Sequence, residues 1–125
     1  EAFDEMATKR RAEGEVPFIV KTIQKRGDPL ARTLPDELLR REVRQSLAVC
    51  TRLELTSDAD RLTFCMLEIT QFAGLRDLPK LGGLLKFGGG APDARIQGLL
   101  ASMPALVWAQ LSRSAGEVRA MRGWV

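Results

Sequence analysis

Residues 33–72 read TLPDELLRREVRQSLAVCTRLELTSDADRLTFCMLEITQF, and they predict two consecutive amphipathic helices. Its first half predicts a helix, because Pro35 opens it, Asp36 and Glu37 occupy the first turn, and arginines follow. Apolar residues recur at helical spacing along one stripe, which is typical of a helix that faces a core. The members of this stripe are Leu38, Leu39, Val43, Leu47, Cys50 and Leu53.

The second half of the stretch predicts another helix, after a turn near Thr56. This helix is expected to begin at Ser57 or Asp58 and to run towards Ala73. Ser57 followed three residues later by Asp60 resembles a capping box, in which side chains satisfy free backbone N–H groups at a helix start. The two helices would form an antiparallel hairpin.

This second helix carries apolar residues on two sides. Phe64 and Leu67 lie opposite a wide apolar face formed by Leu62, Cys65, Met66, Ile69 and Phe72. A helix that is apolar on two sides is usually central in its domain. The central position is the favoured interpretation here, and the alternative is that Phe64 and Leu67 contact a partner protein.

Proline and glycine divide the rest of the chain into further helices, and no segment shows the alternation typical of a strand. Residues 2–12 predict a helix that Gly14 and Pro17 break or kink. Pro17 is well placed to start the next helix. That helix would carry its apolar side on Phe18, Ile19 and Ile23.

Residues 80–92, KLGGLLKFGGGAP, raise the question of a phosphate-binding loop. No strand precedes them, and Lys86 is followed by Phe87 rather than Ser or Thr, so the P-loop pattern is absent. A short helix over residues 79–87 and a hinge at residues 88–90 are predicted instead. Further helices are expected from Asp93 and from Ser102 or Pro104, and Trp124 would pack on the core or insert into a partner.

These segments predict an all-α fold, a single-domain compact bundle of about six short-to-medium helices over residues 1–125. With 45% apolar and 28% charged residues, the composition is that of a folded globular protein. The net charge of +3 is spread over clusters with acids close by, which argues against a nucleic-acid surface. The longest uncharged run, residues 96–112, falls short of a membrane span.

The absence of histidine and tyrosine removes the commonest general base and zinc ligand. Cys50 and Cys65 are expected as two reduced, buried thiols, because packed helix axes stand ~8–10 Å apart and exceed the reach of a disulfide. No catalytic residue, metal or cofactor is predicted. An enzyme that uses Glu68 or Asp60 is the least favoured reading, since Glu68 shares a helix side with Arg61 and is expected to be exposed.

The quoted stretch from residue 38, followed by LPKLGGLL at residues 78–85, resembles a family of small helical bacterial proteins. Members are often encoded beside type VI secretion genes, near PAAR or VgrG spike proteins and their toxic effectors. The opening residues 1–23 are also similar to the first helix of that family. The matching positions are Val43, Leu47, Leu55, Thr56, Ser57, Asp60, Phe64, Leu67, Leu78, Pro79, Leu84 and Leu85.

The resemblance implies a non-enzymatic cytoplasmic protein, most simply a chaperone or adaptor that holds a secretion effector before loading. The alternative is an immunity protein that neutralises a cognate toxin. Apolar and aromatic anchors supply most interface energy. The predicted partner contacts are therefore Phe64, Leu67, Leu84, Leu85, Phe87, Trp108 and Trp124.

Overall fold

The computed structural model describes residues 2–26, 33–78, 81 and 95–124. These residues form five α-helices and no β-strand, so the predicted all-α fold is confirmed. In chain order the helices are α1 (Ala2–Arg26), α2 (Asp36–Arg52), α3 (Asp58–Met66), α4 (Arg95–Ser102) and α5 (Ala105–Met121). A π-helical turn, Leu67–Gln71, continues α3, and a 3-10 turn, Leu75–Asp77, follows it.

The predicted short helix at residues 79–87, the hinge at residues 88–90 and the helix start at Asp93 lie outside the described residues, apart from Leu81. Leu81 is helical and buried. The predicted restart after Pro104 is confirmed, because α5 begins at Ala105 with Pro104 as its N-terminal flanking residue.

The predictions that the first helix breaks near Gly14 and Pro17 and that a new helix starts at Pro17 are wrong, because α1 is one helix that runs through both residues. A proline inside a helix costs ~3 kcal/mol. Pro17 is exposed, so its ring stays on the solvent side. Burial of each large aliphatic side chain contributes ~1.5–3 kcal/mol, and four such buried side chains of α1 offset the cost: Val16, Ile19, Val20 and Ile23.

The turn between α2 and α3 is fixed by backbone hydrogen bonds at the end of α2. The N–H of Leu55 donates to Cys50 O at 2.9 Å, and the N–H of Glu54 donates to Thr51 O at 3.1 Å. This is the Schellman arrangement, which places one residue in the left-handed region. That residue is Glu54, with φ of 61°. Ser57 then caps α3, as predicted, by accepting the N–H of Asp60 at 3.1 Å.

The segment formed by α3 and its π-helical turn separates two core clusters, which confirms its predicted central position. Cys65 and Ile69 face α1 and α2, where they pack in a cluster with Val20, Leu39, Val43 and Trp124. Phe64 and Leu67 face the other way, in a cluster with Leu75, Ile96, Leu99 and Leu111.

The chain after α5 turns back onto the core. Gly123 adopts a φ of 78°, and the N–H of Trp124 donates to Arg119 O at 2.8 Å, so α5 also ends in a Schellman motif. The indole of Trp124 is buried in the first cluster. Within the described part of the chain, no helix combines the length and the apolar character that crossing a membrane would require.

Candidate functional site

Three of the residues predicted to contact a partner are buried. Phe64 has 0% exposed surface, Leu67 has 9% and Trp124 has 5%. A side chain with no exposed surface cannot contact a partner in this conformation. Phe64 and Leu67 therefore serve the core, and their second apolar side is covered by the chain's own helices.

The remaining predicted contacts divide into two groups. Trp108 is half-buried, and its ring lies 4.8 Å from that of Phe72 between centroids, tilted by 44°. This aromatic pair leaves part of the indole exposed at the edge of the second core cluster. Leu84, Leu85 and Phe87 lie outside the described residues.

The sequence predicted that Glu68 would be exposed to solvent. This prediction is wrong, because the side chain is 0% exposed. The chain folds back over it after the π-helical turn, and the backbone N–H groups of Gly74 and Arg76 donate to its carboxylate at 3.1 and 3.0 Å. Arg122, at the end of α5, forms an ion pair with the same carboxylate and a second one with Asp77 at 2.6 Å. Backbone donors and a guanidinium together offset the cost of burying this charge.

The side chain of Arg76 carries this network across to α2. Its guanidinium donates to both carboxylate oxygens of Glu42, at 3.2 and 3.3 Å, to Ser46 Oγ at 3.1 Å and to Gln45 Oε1 at 2.8 Å. Glu42 and Ser46 are buried within the predicted apolar stripe of α2. The result is an internal polar network that joins α2, the π-helical turn and the end of α5.

Asp60 has a comparable internal role. Both of its carboxylate oxygens accept backbone N–H groups at the start of α4, from Arg95 and Ile96, at 3.0 Å each. The side chain is nearly inaccessible to solvent. Asp60 and Glu68 are therefore both occupied by hydrogen bonds within the protein.

A second buried ion pair joins α1 to α3. Arg61 Nε lies 2.7 Å from Glu15 Oε2, and the guanidinium also donates to Thr51 Oγ1 and Leu55 O at 3.1 Å each. Burial alone would lower the pKa of Arg61, but the hydrogen bond and charge of Glu15 raise it overall. The pKa of Arg122 is raised in the same way, against its own burial, by Glu68 and Asp77.

The Arg61–Glu15 pair forms the floor of an open cavity of about 400 Å³ between α1 and α2, which we call the α1–α2 groove. Its walls are Val16, Leu47, Ala48 and Leu55, and its rim carries Arg44 and Glu54. Sequence reasoning missed this groove because Arg61 seemed to lie on a solvent-facing side of its helix. The available signal was Phe64 and Leu67, which share that side and had to be covered.

α1 also borders a second open cavity, of about 380 Å³, which we call the α1–α3 groove. It is lined by Gly14, Glu15, Phe18, Ile19, Asp58 and Leu62, so Glu15 borders both grooves. Phe18 is 62% exposed at its edge. Large exposed aromatic side chains beside a concave surface are typical of sites where proteins bind one another.

The two cysteines are free and buried, as predicted. A hydrogen bond to Cys50, together with burial, raises the pKa of the Cys65 thiol well above its ordinary value. Such a thiol is a poor nucleophile, because the thiolate is the reactive form. Among the described residues, no three Cys, Asp or Glu side chains are grouped so that they could hold a metal ion.

Comparisons with models of known protein families, with curated protein sequences and with solved structures each return no match.

Proposed function

We propose that this chain is a non-enzymatic protein-binding accessory factor that holds a bacterial secretion effector before loading. The observation that carries the proposal is the pair of open grooves flanking α1, one of which exposes Phe18 at its edge. Concave, partly apolar surfaces beside an exposed aromatic residue are suited to a partner's side chains.

The buried carboxylates support a non-enzymatic role. Asp60 caps α4, and Glu68 accepts two backbone N–H groups and a guanidinium. A general acid or base has to exchange protons with a bound substrate. Both residues are instead held in contacts that stabilise the fold.

The identity of the partner as a type VI secretion effector rests on the resemblance of residues 38–72 and 78–85 to small helical bacterial proteins encoded beside PAAR and VgrG genes. Ser57 and Asp60, which belong to that resemblance, have capping roles in this fold. These two residues thus support the fold, and the exposed side chains of α1 and α2 are the proposed contacts with the effector.

A tagged full-length chain, purified from its own bacterium and followed by mass spectrometry of the co-purifying proteins, tests the proposal. We expect one dominant partner that carries a PAAR or toxin domain. Phe18→Ser should reduce the yield of that partner, whereas Leu106→Ser, which alters another exposed apolar residue on α5, should not. A chain that purifies without any partner would contradict the proposal.

Co-expression with the captured effector separates an adaptor from an immunity protein. An adaptor raises the level or the secretion of the effector and leaves its toxicity intact once it is delivered. An immunity protein abolishes toxicity in the same cell. We expect the first result.

A further inference from the structure

We infer that the α1–α2 groove binds an acidic amphipathic segment of a partner protein. Carboxylates of that segment would lie along the outer ridge of α2, and an apolar side chain would enter the groove. This inference rests on the proposed function and deepens it, because it names the chemistry of the bound segment.

The outer ridge of α2 is a row of residues spaced four apart: Arg40, Arg44, Ala48 and Arg52. Such i, i+4 rows form the ridges of a helix surface, and this one extends over about 18 Å at 1.5 Å per residue. All four residues are exposed. The three arginines make no ion pair or side-chain hydrogen bond in the described structure, so their charges face solvent.

The exposed charges of α2 are distributed asymmetrically. Asp36 and Glu37 occupy the first turn, and Asp36 accepts a hydrogen bond of 2.6 Å from Gln24. From Arg40 to Arg52 every exposed charge is positive, because the one acid in that range, Glu42, is buried against Arg76. A one-sided positive surface attracts a partner of the opposite charge.

The groove opens beside the small member of the ridge. Ala48 lies between Arg44 and Arg52 and lines the cavity together with Leu47 and Val16. A volume of about 400 Å³ lies within the range of ordinary binding pockets, ~300–1,000 Å³. An apolar side chain can thus enter the groove while its neighbours in sequence reach the arginines.

The charges at the floor of the groove compensate each other, because they belong to one ion pair. Arg61 is paired with Glu15 and also donates to Thr51 and Leu55, so its charge is already compensated inside the protein. The exposed charges at the rim are Arg44 and Glu54. The positive ridge therefore determines the sign of the preferred partner, and Glu54 weakens that preference at one end.

A protein segment fits this surface better than a nucleic acid does. Nucleic-acid surfaces combine basic residues with aromatic side chains on which bases stack. The ridge has no aromatic member, and the walls of the adjoining groove are aliphatic. A DNA probe is included in the test to check this preference for a protein segment.

The test is fluorescence anisotropy with the full chain and a fluorescein-labelled 16-residue peptide that carries leucine at helical spacing and glutamate elsewhere. A matched peptide has lysine in place of glutamate, and a 12-nucleotide single-stranded DNA serves as the third probe. We expect the acidic peptide to bind at least tenfold more tightly than either comparison probe. Raising the salt from 50 to 200 mM should weaken this binding, since exposed charges are screened.

Variants locate the binding on the ridge. Arg44→Glu should raise the Kd of the acidic peptide at least tenfold, whereas Arg113→Glu, the same charge reversal at an exposed site on α5, should change it less than twofold. Ala48→Trp should also weaken binding, because it fills the groove without altering charge. Glu54→Gln should tighten binding about twofold.

Three results would overturn the inference: no saturable binding of the acidic peptide, equal effects of Arg44→Glu and Arg113→Glu, or tighter binding of the DNA. The failure of the proposed function looks different. If an effector co-purifies equally with the wild-type chain and with Arg44→Glu, the ridge does not bind it, and the proposed function remains intact. Absence of any co-purifying partner would contradict the proposed function itself.

Discussion

Asp60 and Ile96 are joined by a hydrogen bond of 3.0 Å from the backbone N–H of Ile96 to the carboxylate of Asp60, across 36 positions of sequence. The other oxygen of that carboxylate accepts the N–H of Arg95. One helix thus supplies the N-terminal cap of another, which fixes α4 onto α3. This contact satisfies N–H groups that every helix start leaves free.

Replacing this cap should destabilise the fold. Asp60→Ala removes both acceptors from two N–H groups at a buried site, and we expect a loss of about 2–3 kcal/mol in the free energy of unfolding. Glu117→Ala, at an exposed position of α5, should stay within about 0.5 kcal/mol. Urea unfolding followed by circular dichroism measures both. Equal midpoints would show that Asp60 does not hold α4.

The polar network around Glu68 should contribute more to the free energy of unfolding than the Asp60 cap does. Glu68→Gln removes the buried charge that pairs with the half-buried Arg122, which retains its ion pair with Asp77. Loss of one partner of a buried ion pair costs about 3–5 kcal/mol. The same urea titration measures this loss, and Glu117→Gln, the same substitution at an exposed site, is the control. A Glu68→Gln protein as stable as the wild type would contradict the assignment of this network.

Glu54 should destabilise the turn after α2, because it occupies the left-handed region without being glycine. That conformation costs a residue with a Cβ ~1–2 kcal/mol. Glu54→Gly should therefore raise the free energy of unfolding by about 1 kcal/mol. Gly123→Ala, at the equivalent position after α5, should lower it by a similar amount. Thermal unfolding of the pair checks both signs, and a destabilised Glu54→Gly would show that its side chain contributes contacts that outweigh the strain.

The Cys65 thiol should make stability fall at alkaline pH. Its pKa is raised in the folded state by the hydrogen bond with Cys50 and by burial. Above about pH 8.5 the unfolded thiol ionises while the folded thiol stays protonated. Stability is then complete below that pH and declines by about 1 kcal/mol per pH unit as the pH rises towards the folded pKa.

Cys65→Ala isolates this contribution, because the variant lacks the titrating thiol. We expect its unfolding free energy to fall less steeply between pH 8 and pH 10 than that of the wild type. Parallel pH profiles would contradict the raised pKa of Cys65.

The sequence predicted those parts of the fold that depend on local patterns. The apolar stripe of α2, the cap at Ser57 and the central position of α3 follow from periodicity and helix-end chemistry. Trp124 packs on the core, which is one of the two positions that the sequence allowed for it. The apolar stripe and the cap were predictable because each depends on residues within a few positions of one another.

The features that sequence reasoning missed depend on distant segments. Glu68 is buried because Arg122, 54 positions away, and the backbone at Gly74 enclose it. Glu42 is buried for a similar reason, since Arg76 reaches it from 34 positions away. Charged residues are favourable in the interior only when such partners exist, and periodicity contains no information about them.

The candidate site was harder to predict than the fold. The predicted contacts Phe64 and Leu67 proved to be core residues, and the grooves flanking α1 arise from packing of α1 against α2 and α3. Pro17 contributed to this difficulty, because it suggested a broken first helix where a continuous one forms.

We propose that this protein binds its partner through the exposed surface of α1 and α2. The amount of effector that co-purifies with the tagged wild-type chain, with Arg44→Glu and with Arg113→Glu, quantified by mass spectrometry at equal bait, tests this proposal. We predict one effector retained by the wild type and by Arg113→Glu, and reduced at least tenfold by Arg44→Glu. Recovery of no effector with the wild-type chain would contradict the proposed function, and equal recovery with all three chains would contradict the role of the arginine ridge in it.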